Sequence, residues 1–128
     1  MTYKVLVVDD SKLARMAIAR LLDVLRPGWT RIEAGNATEA IERQNHDASD
    51  IALLDFNMPG PDGLALAADL HARYPALPIA IISANSQHEI VARATAIGAA
   101  FLLKPLARQV LANFLAEVEP RLPARPRE

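Results

Sequence analysis

Five side chains in this sequence, Asp9, Asp10, Asp55, Ser83 and Lys104, each follow or close a short apolar run, and together they supply the parts for phosphoryl chemistry at a carboxylate. Three carboxylates brought within a few ångströms repel one another in a medium of low dielectric, so their ionised forms call for cations. A divalent ion answers that need. Hard oxygen donors, with no Cys in the chain and no suitably placed His, select Mg²⁺ or Mn²⁺ over Zn²⁺, and Mg²⁺ commonly keeps waters and takes up a phosphate oxygen. Lys104 adds a point charge suited to phosphate, and the Ser83 hydroxyl can hydrogen-bond a phosphoryl oxygen. Asp55, alone after its run, is the natural nucleophile, while the Asp9-Asp10 pair is better placed to hold the metal. Each residue taken singly has a plainer role, as a helix-capping acid pair, a loop-capping Asp, a Ser at a strand end or a Lys before Pro. Their recurrence at corresponding places along the chain favours a site.

The elements that must position these groups are legible from periodicity. Tyr3-Lys-Val-Leu-Val-Val-Asp-Asp10, Ile51-Ala-Leu-Leu-Asp55, Ile79-Ala-Ile-Ile-Ser83 and Ala100-Phe-Leu-Leu-Lys104 are apolar runs bounded by Gly, Pro or acids, which predicts buried strands. Thr30-Arg-Ile-Glu-Ala34 is a weaker strand signal. Ser11 suits the N-cap of a first helix, with Ala14, Ile18, Leu21, Leu22 and Leu25 at helical spacing until Pro27-Gly28. Ala37, Ala40 and Ile41 mark a short second helix ending near Asn45-His46-Asp47. Asp62 caps a third through about Tyr74. Ile90, Val91, Ala94 and Ile97 give a fourth its apolar face before Gly98, and Leu111, Phe114, Leu115 and Val118 mark a fifth. Strands alternating with helices predict an α/β fold, a parallel sheet with helices on both faces, and in such sheets ligand sites lie at the C-terminal strand ends.

The 128 residues suffice for one domain, and a formal net charge of −1 with about half the residues apolar argues against disorder and against a nucleic-acid backbone binder. No apolar run approaches the roughly 18 residues needed to span a bilayer, and no signal-peptide pattern opens the chain, so a cytoplasmic protein is expected. Residues 120–128, with three Pro and three Arg, predict an extended tail. His46, His71 and His88 share no face and are expected to be solvated. Trp29 is expected as a partly buried cover for the sheet edge.

The motifs Val8-Asp9-Asp10-Ser11, Asp55-Phe-Asn-Met-Pro-Gly-Pro-Asp-Gly63, Ser83-Ala84 and Gly98-Ala-Ala-Phe-Leu-Leu-Lys104-Pro105, in this order, resemble those of a response-regulator receiver domain of two-component signalling. The resemblance spans residue 3 to about 119. It implies the flavodoxin-like, CheY-like (βα)5 fold with strand order 2-1-3-4-5, a receiver domain over 1–119 and a Pro/Arg-rich tail or linker stub over 120–128. It further implies Asp55 as phospho-acceptor, Mg²⁺ held by Asp9, Asp10, Asp55 and the Asn57 backbone carbonyl, Lys104 on the phosphoryl group, and Ser83 and Phe101 as switch residues acting on an α4-β5-α5 partner face. The implied phosphodonor is a sensor histidine kinase or a histidine phosphotransfer protein, with no nucleic-acid or membrane contact by the domain. Such a domain is a signalling switch that phosphorylates and dephosphorylates itself, not a conventional enzyme. Asn57 and Asn85 stand where the family tunes access of water, and two neutral amides offer no in-line base, which predicts no rapid hydrolysis.

Two other readings share the parts. A Mg²⁺-dependent aspartyl phosphohydrolase of the haloacid dehalogenase type needs an acid two residues after its nucleophile, where this chain has Asn57. A receiver belonging to a larger regulator with an output domain fits the motifs equally well. Absence of Gly-x-Gly-x-x-Gly disfavours a dinucleotide cofactor.

Overall fold

The computed structural model describes residues 2–124. Five strands alternate with five α-helices: β1 (Lys4–Val8), α1 (Lys12–Leu25), β2 (Thr30–Ala34), α2 (Ala37–His46), β3 (Ile51–Asp55), α3 (Gly63–Arg73), β4 (Ile79–Ser83), α4 (His88–Ala96), β5 (Ala100–Leu103) and α5 (Arg108–Val118). The sheet is wholly parallel in the order β2-β1-β3-β4-β5, as the resemblance implied. Every residue of β3 and β4 is buried, which is why these strands read as unbroken apolar runs with no alternation.

Side-chain alternation divides the core between the two faces of the sheet. Leu6, Val8, Ala52, Leu54 and Ile81 pack under α2, α3 and α4, whereas Val5, Val7, Ile51, Leu53, Ala80 and Ile82 pack under α1 and α5. Three helices begin on the predicted capping residues or their equivalents: Ser11, Asn36 and Asp62 each accept from the amide three residues on. The helices therefore start immediately after the strand-end loops and hold those loops close to the sheet.

Three expectations are corrected. β1 and β5 are shorter than their apolar runs, so Asp9, Asp10 and Lys104 stand just beyond the strands, where the chain leaves the ladder for a helix. Trp29 is only 8% exposed, buried where a partly buried cover is expected. It precedes β2 directly, and Thr30 N–H donates to the Tyr3 carbonyl, so the indole lands edge-to-face on Tyr3 at 5.2 Å with the Arg26 guanidinium 5.7 Å above its ring. The start of the expected tail is part of the fold: Glu119–Arg121 form a 3-10 turn, Leu122 is buried with Tyr3 and Trp29, and the Pro123 carbonyl accepts from the Tyr3 hydroxyl. An apolar residue among the prolines and arginines holds the segment down. The last four positions of the predicted tail, 125–128, lie outside the described residues. His46, His71 and His88 are exposed, as expected.

Candidate functional site

The site forms where β1, β3 and β5 give out at one edge of the sheet. Asp55 is the last residue of β3 and is buried, with 5% of its surface exposed, and Asp9, with 2%, follows β1 directly. Asp10 is exposed. Each of these three acids offers a carboxylate oxygen, and the three oxygens lie within 4.8 Å of one another. Lys104 Nζ donates to Asp55 Oδ1 at 2.7 Å and stands 3.9 Å from Asp9 Oδ2. Four of the five chemically equipped residues thus meet as their strand-end positions predict.

Burial is the main reason that the Asp9 carboxyl is raised above the ordinary aspartate value. The Ser11 N–H, donating to Asp9 Oδ1 at 2.9 Å, pulls it back, Asp55 pushes it up, Lys104 lowers it, and Asp10 adds a further push. One ammonium group, paired with two of the three carboxylates, leaves an excess of negative charge in a partly dry place. The donor set is made of hard oxygens, without sulfur or imidazole, and these residues fit a small divalent cation.

Ser83 closes β4, the strand next to β3. Its buried hydroxyl accepts from the Asn85 amide at 2.9 Å, and the Asn85 side chain in turn accepts from Gln87 N–H, so the β4–α4 connection is folded on its own polar groups and Ser83 makes no hydrogen bond to Asp55. The Ser83 carbonyl accepts from Lys104 N–H at 2.9 Å, which ties the lysine backbone to the end of β4. Phe101 is half-buried on β5 and packs against the α2–α4 side of the core. The Asn57 side chain is exposed in the loop after β3.

Two contributors escape sequence reasoning. Gly63 reads as a turn residue, yet its backbone is not left-handed: a Cβ there would lie 2.4 Å from the Asp55 carbonyl oxygen and 2.8 Å from Phe56 Cα. The glycine is needed for close approach, since Gly63 N–H donates to the Phe56 carbonyl and closes the loop on the end of β3. Arg15 belongs to none of the motifs, yet its Nη1 donates to the Asp9 carbonyl at 2.6 Å and its Nε to Glu33 Oε1 at 2.9 Å. A basic residue one turn into a helix that follows an acid pair was the available signal.

A doubly wound parallel sheet of this strand order, with acids and a lysine gathered at its C-terminal edge, defines an α/β protein of the flavodoxin-like class with an anionic strand-end site. Within that class the chain belongs to the response regulator receiver family, whose domain model matches residues 5–116. It is 32% identical over 118 residues to the glycerol metabolism activator of Pseudomonas putida, covering 91% of this chain and 53% of that protein. With the positive alginate biosynthesis regulatory protein of Pseudomonas aeruginosa it shares 40% identity over 114 residues, covering 87% of this chain and 45% of that one. Among solved structures, the chemotaxis protein CheY4 of Vibrio cholerae superposes with a TM-score of 0.83 at 26% identity, over 92% of this chain and 99% of that one. The chain spans about half the length of the curated relatives it matches. It is thus a two-component receiver domain, homologous to the receivers of response regulators, and receivers of this family work with histidine kinases or phosphotransfer proteins. No helix among the described residues is long and apolar enough to cross a membrane.

Proposed function

We propose that this receiver accepts a phosphoryl group on Asp55 from the phosphohistidine of a sensor histidine kinase or phosphotransfer protein, in the cytoplasm, and changes its α4-β5-α5 face in response. The observation that carries the reading is the 2.7 Å contact between Lys104 and Asp55 beside the Asp9-Asp10 pair. An Asp55 oxygen attacks phosphorus, the phosphorus–nitrogen bond of the donor breaks as the new oxygen–phosphorus bond forms, and the released imidazole nitrogen takes a proton from solvent. Lys104, bonded to Oδ1, orients the carboxylate and is placed to meet the incoming phosphoryl oxygens. Asp9, Asp10, Asp55 and the Asn57 carbonyl would hold Mg²⁺, which when bound neutralises charge on the transferring group. Catalysis here is positioning and charge compensation.

The phosphoryl group of the product carries about −1.5 to −2 charge, a net gain of at most about one unit over the carboxylate it modifies, and brings strong acceptor oxygens to the strand ends where Ser83 closes β4. A hydroxyl that accepts from the Asn85 amide can turn to donate to a phosphoryl oxygen, drawing the β4–α4 connection inward and making room beside half-buried Phe101. Partners then meet a different packing of α4, β5 and α5, a shift in population between two arrangements of one fold. Asn57 and Asn85 supply no base for in-line water, which argues against rapid hydrolysis of the adduct.

Incubation with a small phosphodonor, with and without Mg²⁺, followed by intact-mass measurement tests the assignment. One phosphate adduct is expected, dependent on Mg²⁺ and absent from Asp55→Asn. An adduct undiminished in that variant would overturn Asp55 as acceptor, and unchanged Mg²⁺ affinity in Asp10→Ala would overturn the ligand set.

A further inference from the structure

The Asp9 backbone occupies the point at which the β1–β2 ladder ends. Its amide still donates to the Ala34 carbonyl at 3.1 Å. In a parallel pair the Asp9 carbonyl would next accept from an amide further along the neighbouring strand, but β2 stops at Ala34 and the chain turns through Gly35 and Asn36 into α2. Asp9 is almost fully buried, so this carbonyl needs a protein donor. Arg15 supplies it from α1 through Nη1, while Nε is held by Glu33, the penultimate residue of β2. One planar guanidinium therefore joins the end of β1, the start of α1 and the end of β2, with both contacts set by its fixed fork.

We propose that Arg15, oriented by Glu33, is a positioning residue for the acidic site: it takes over the lost ladder bond at the Asp9 carbonyl and thereby fixes the Asp9-Asp10 turn in the arrangement that binds a divalent cation. The proposal rests on the reading of Asp9 and Asp10 as cation ligands. Two effects of Arg15 on cation affinity have opposite signs, which makes the idea testable. A bare positive charge near the carboxylates competes with the cation, so its removal tightens binding. A positioning partner outside the ligand set holds the ligands in place, and loss of such partners typically weakens metal binding by 10–100-fold.

The experiment titrates Mg²⁺ calorimetrically into the full chain and into Arg15→Met, Arg15→Lys, Glu33→Gln and Glu33→Ala, with thermal melts to establish that each is folded. Amide exchange at Ser11, whose N–H donates to Asp9 Oδ1, is read in metal-free protein. Arg15→Met and Arg15→Lys are both expected to weaken Mg²⁺ binding by roughly tenfold and to speed Ser11 exchange, because an ammonium keeps the charge and loses the fork. Glu33→Gln keeps an acceptor oxygen for Nε and should resemble the parent. Glu33→Ala should weaken binding in the same direction by a smaller factor, and it carries the test if Arg15→Met does not fold. Equal or tighter Mg²⁺ binding in Arg15→Met, or parental binding in Arg15→Lys, overturns the proposal. Should the parent chain bind no Mg²⁺, the ligand reading fails by itself. The brace is then judged by Ser11 exchange, and an unchanged rate in Arg15→Lys sinks it.

Discussion

Lys104 reaches Asp55 across an intervening strand: β4 lies between β5 and β3, yet the ammonium comes within 2.7 Å of Asp55 Oδ1 over a sequence separation of 49 residues. The contact depends on Lys104 standing one residue past the end of β5, with its amide bonded to the Ser83 carbonyl, so that the side chain leaves over the sheet edge. It is the only positive charge that faces the acid cluster at salt-bridge distance among the described residues.

Replacing that lysine should separate charge compensation from metal binding. Lys104→Met leaves buried Asp55 and Asp9 without their cation, and metal-free stability is expected to fall by about 1–2 kcal/mol, a modest figure because the lysine is itself partly solvated. Mg²⁺ should stabilise this variant more than the parent, while phosphoryl uptake slows by about a hundredfold. Melting curves with and without Mg²⁺, paired with a phosphorylation time course, give both quantities.

Asp9 makes the metal-free chain pH-dependent in a definite direction. Its carboxyl titrates above 3.8 in the folded chain, mainly because it is buried, so the folded state holds this proton more tightly than the unfolded one. The stabilisation from this group is complete below 3.8 and is lost as pH rises through the raised value. The parent should therefore lose stability relative to Asp9→Asn across that window in metal-free buffer, and Mg²⁺, which favours the ionised carboxylate, should reverse the trend. Denaturant midpoints of the two proteins, measured in parallel over pH, check this; parallel curves would refute it.

Gly63 and Gly60 should respond to alanine for different reasons. Gly63→Ala drives a Cβ into the Asp55 carbonyl, 2.4 Å away, and is expected to cost about 2–3 kcal/mol and to impair phosphorylation by displacing the nucleophile. Gly60→Ala meets no atom within 4 Å and suffers only from a φ of +75°, a strain of about 1 kcal/mol that leaves phosphorylation intact. Urea unfolding and intact mass on both variants distinguish the two causes.

Leu122→Ala should destabilise the protein by about 2 kcal/mol although it lies in a stretch rich in Pro and Arg. The side chain packs into the same cluster as Tyr3 and Trp29, and Arg26 bonds Glu119 close by. Trp29 fluorescence should shift in the variant and report the loosened segment before global unfolding.

Much of this molecule is written along the chain. The apolar runs at Val5–Val8, Ile51–Leu54 and Ile79–Ile82, and the caps Ser11 and Asp62, are local signals whose periods and hydrogen bonds need no distant partner. Placement of Trp29 was less legible, because an aromatic beside Pro27-Gly28 could cover an edge or enter the core, and only the pairing of β2 with β1 sets it on Tyr3. Gln44 is a similar case: a polar residue in a short amphipathic helix proves fully buried, satisfied by the backbone and hydroxyl of Ser49.

The sequence by itself determined which chemical groups close or directly follow the strands, since a buried parallel strand shows as an apolar run and the polar residues after it mark where it gives out. Tertiary structure alone decided how those groups meet. Whether Lys104 finds Asp55, whether Arg15 completes the Asp9 carbonyl and whether Gly63 must lack a side chain depend on strand order, on where each ladder stops and on clearances of a few tenths of an ångström. Those quantities arise between segments far apart in the chain, and no local pattern encodes them.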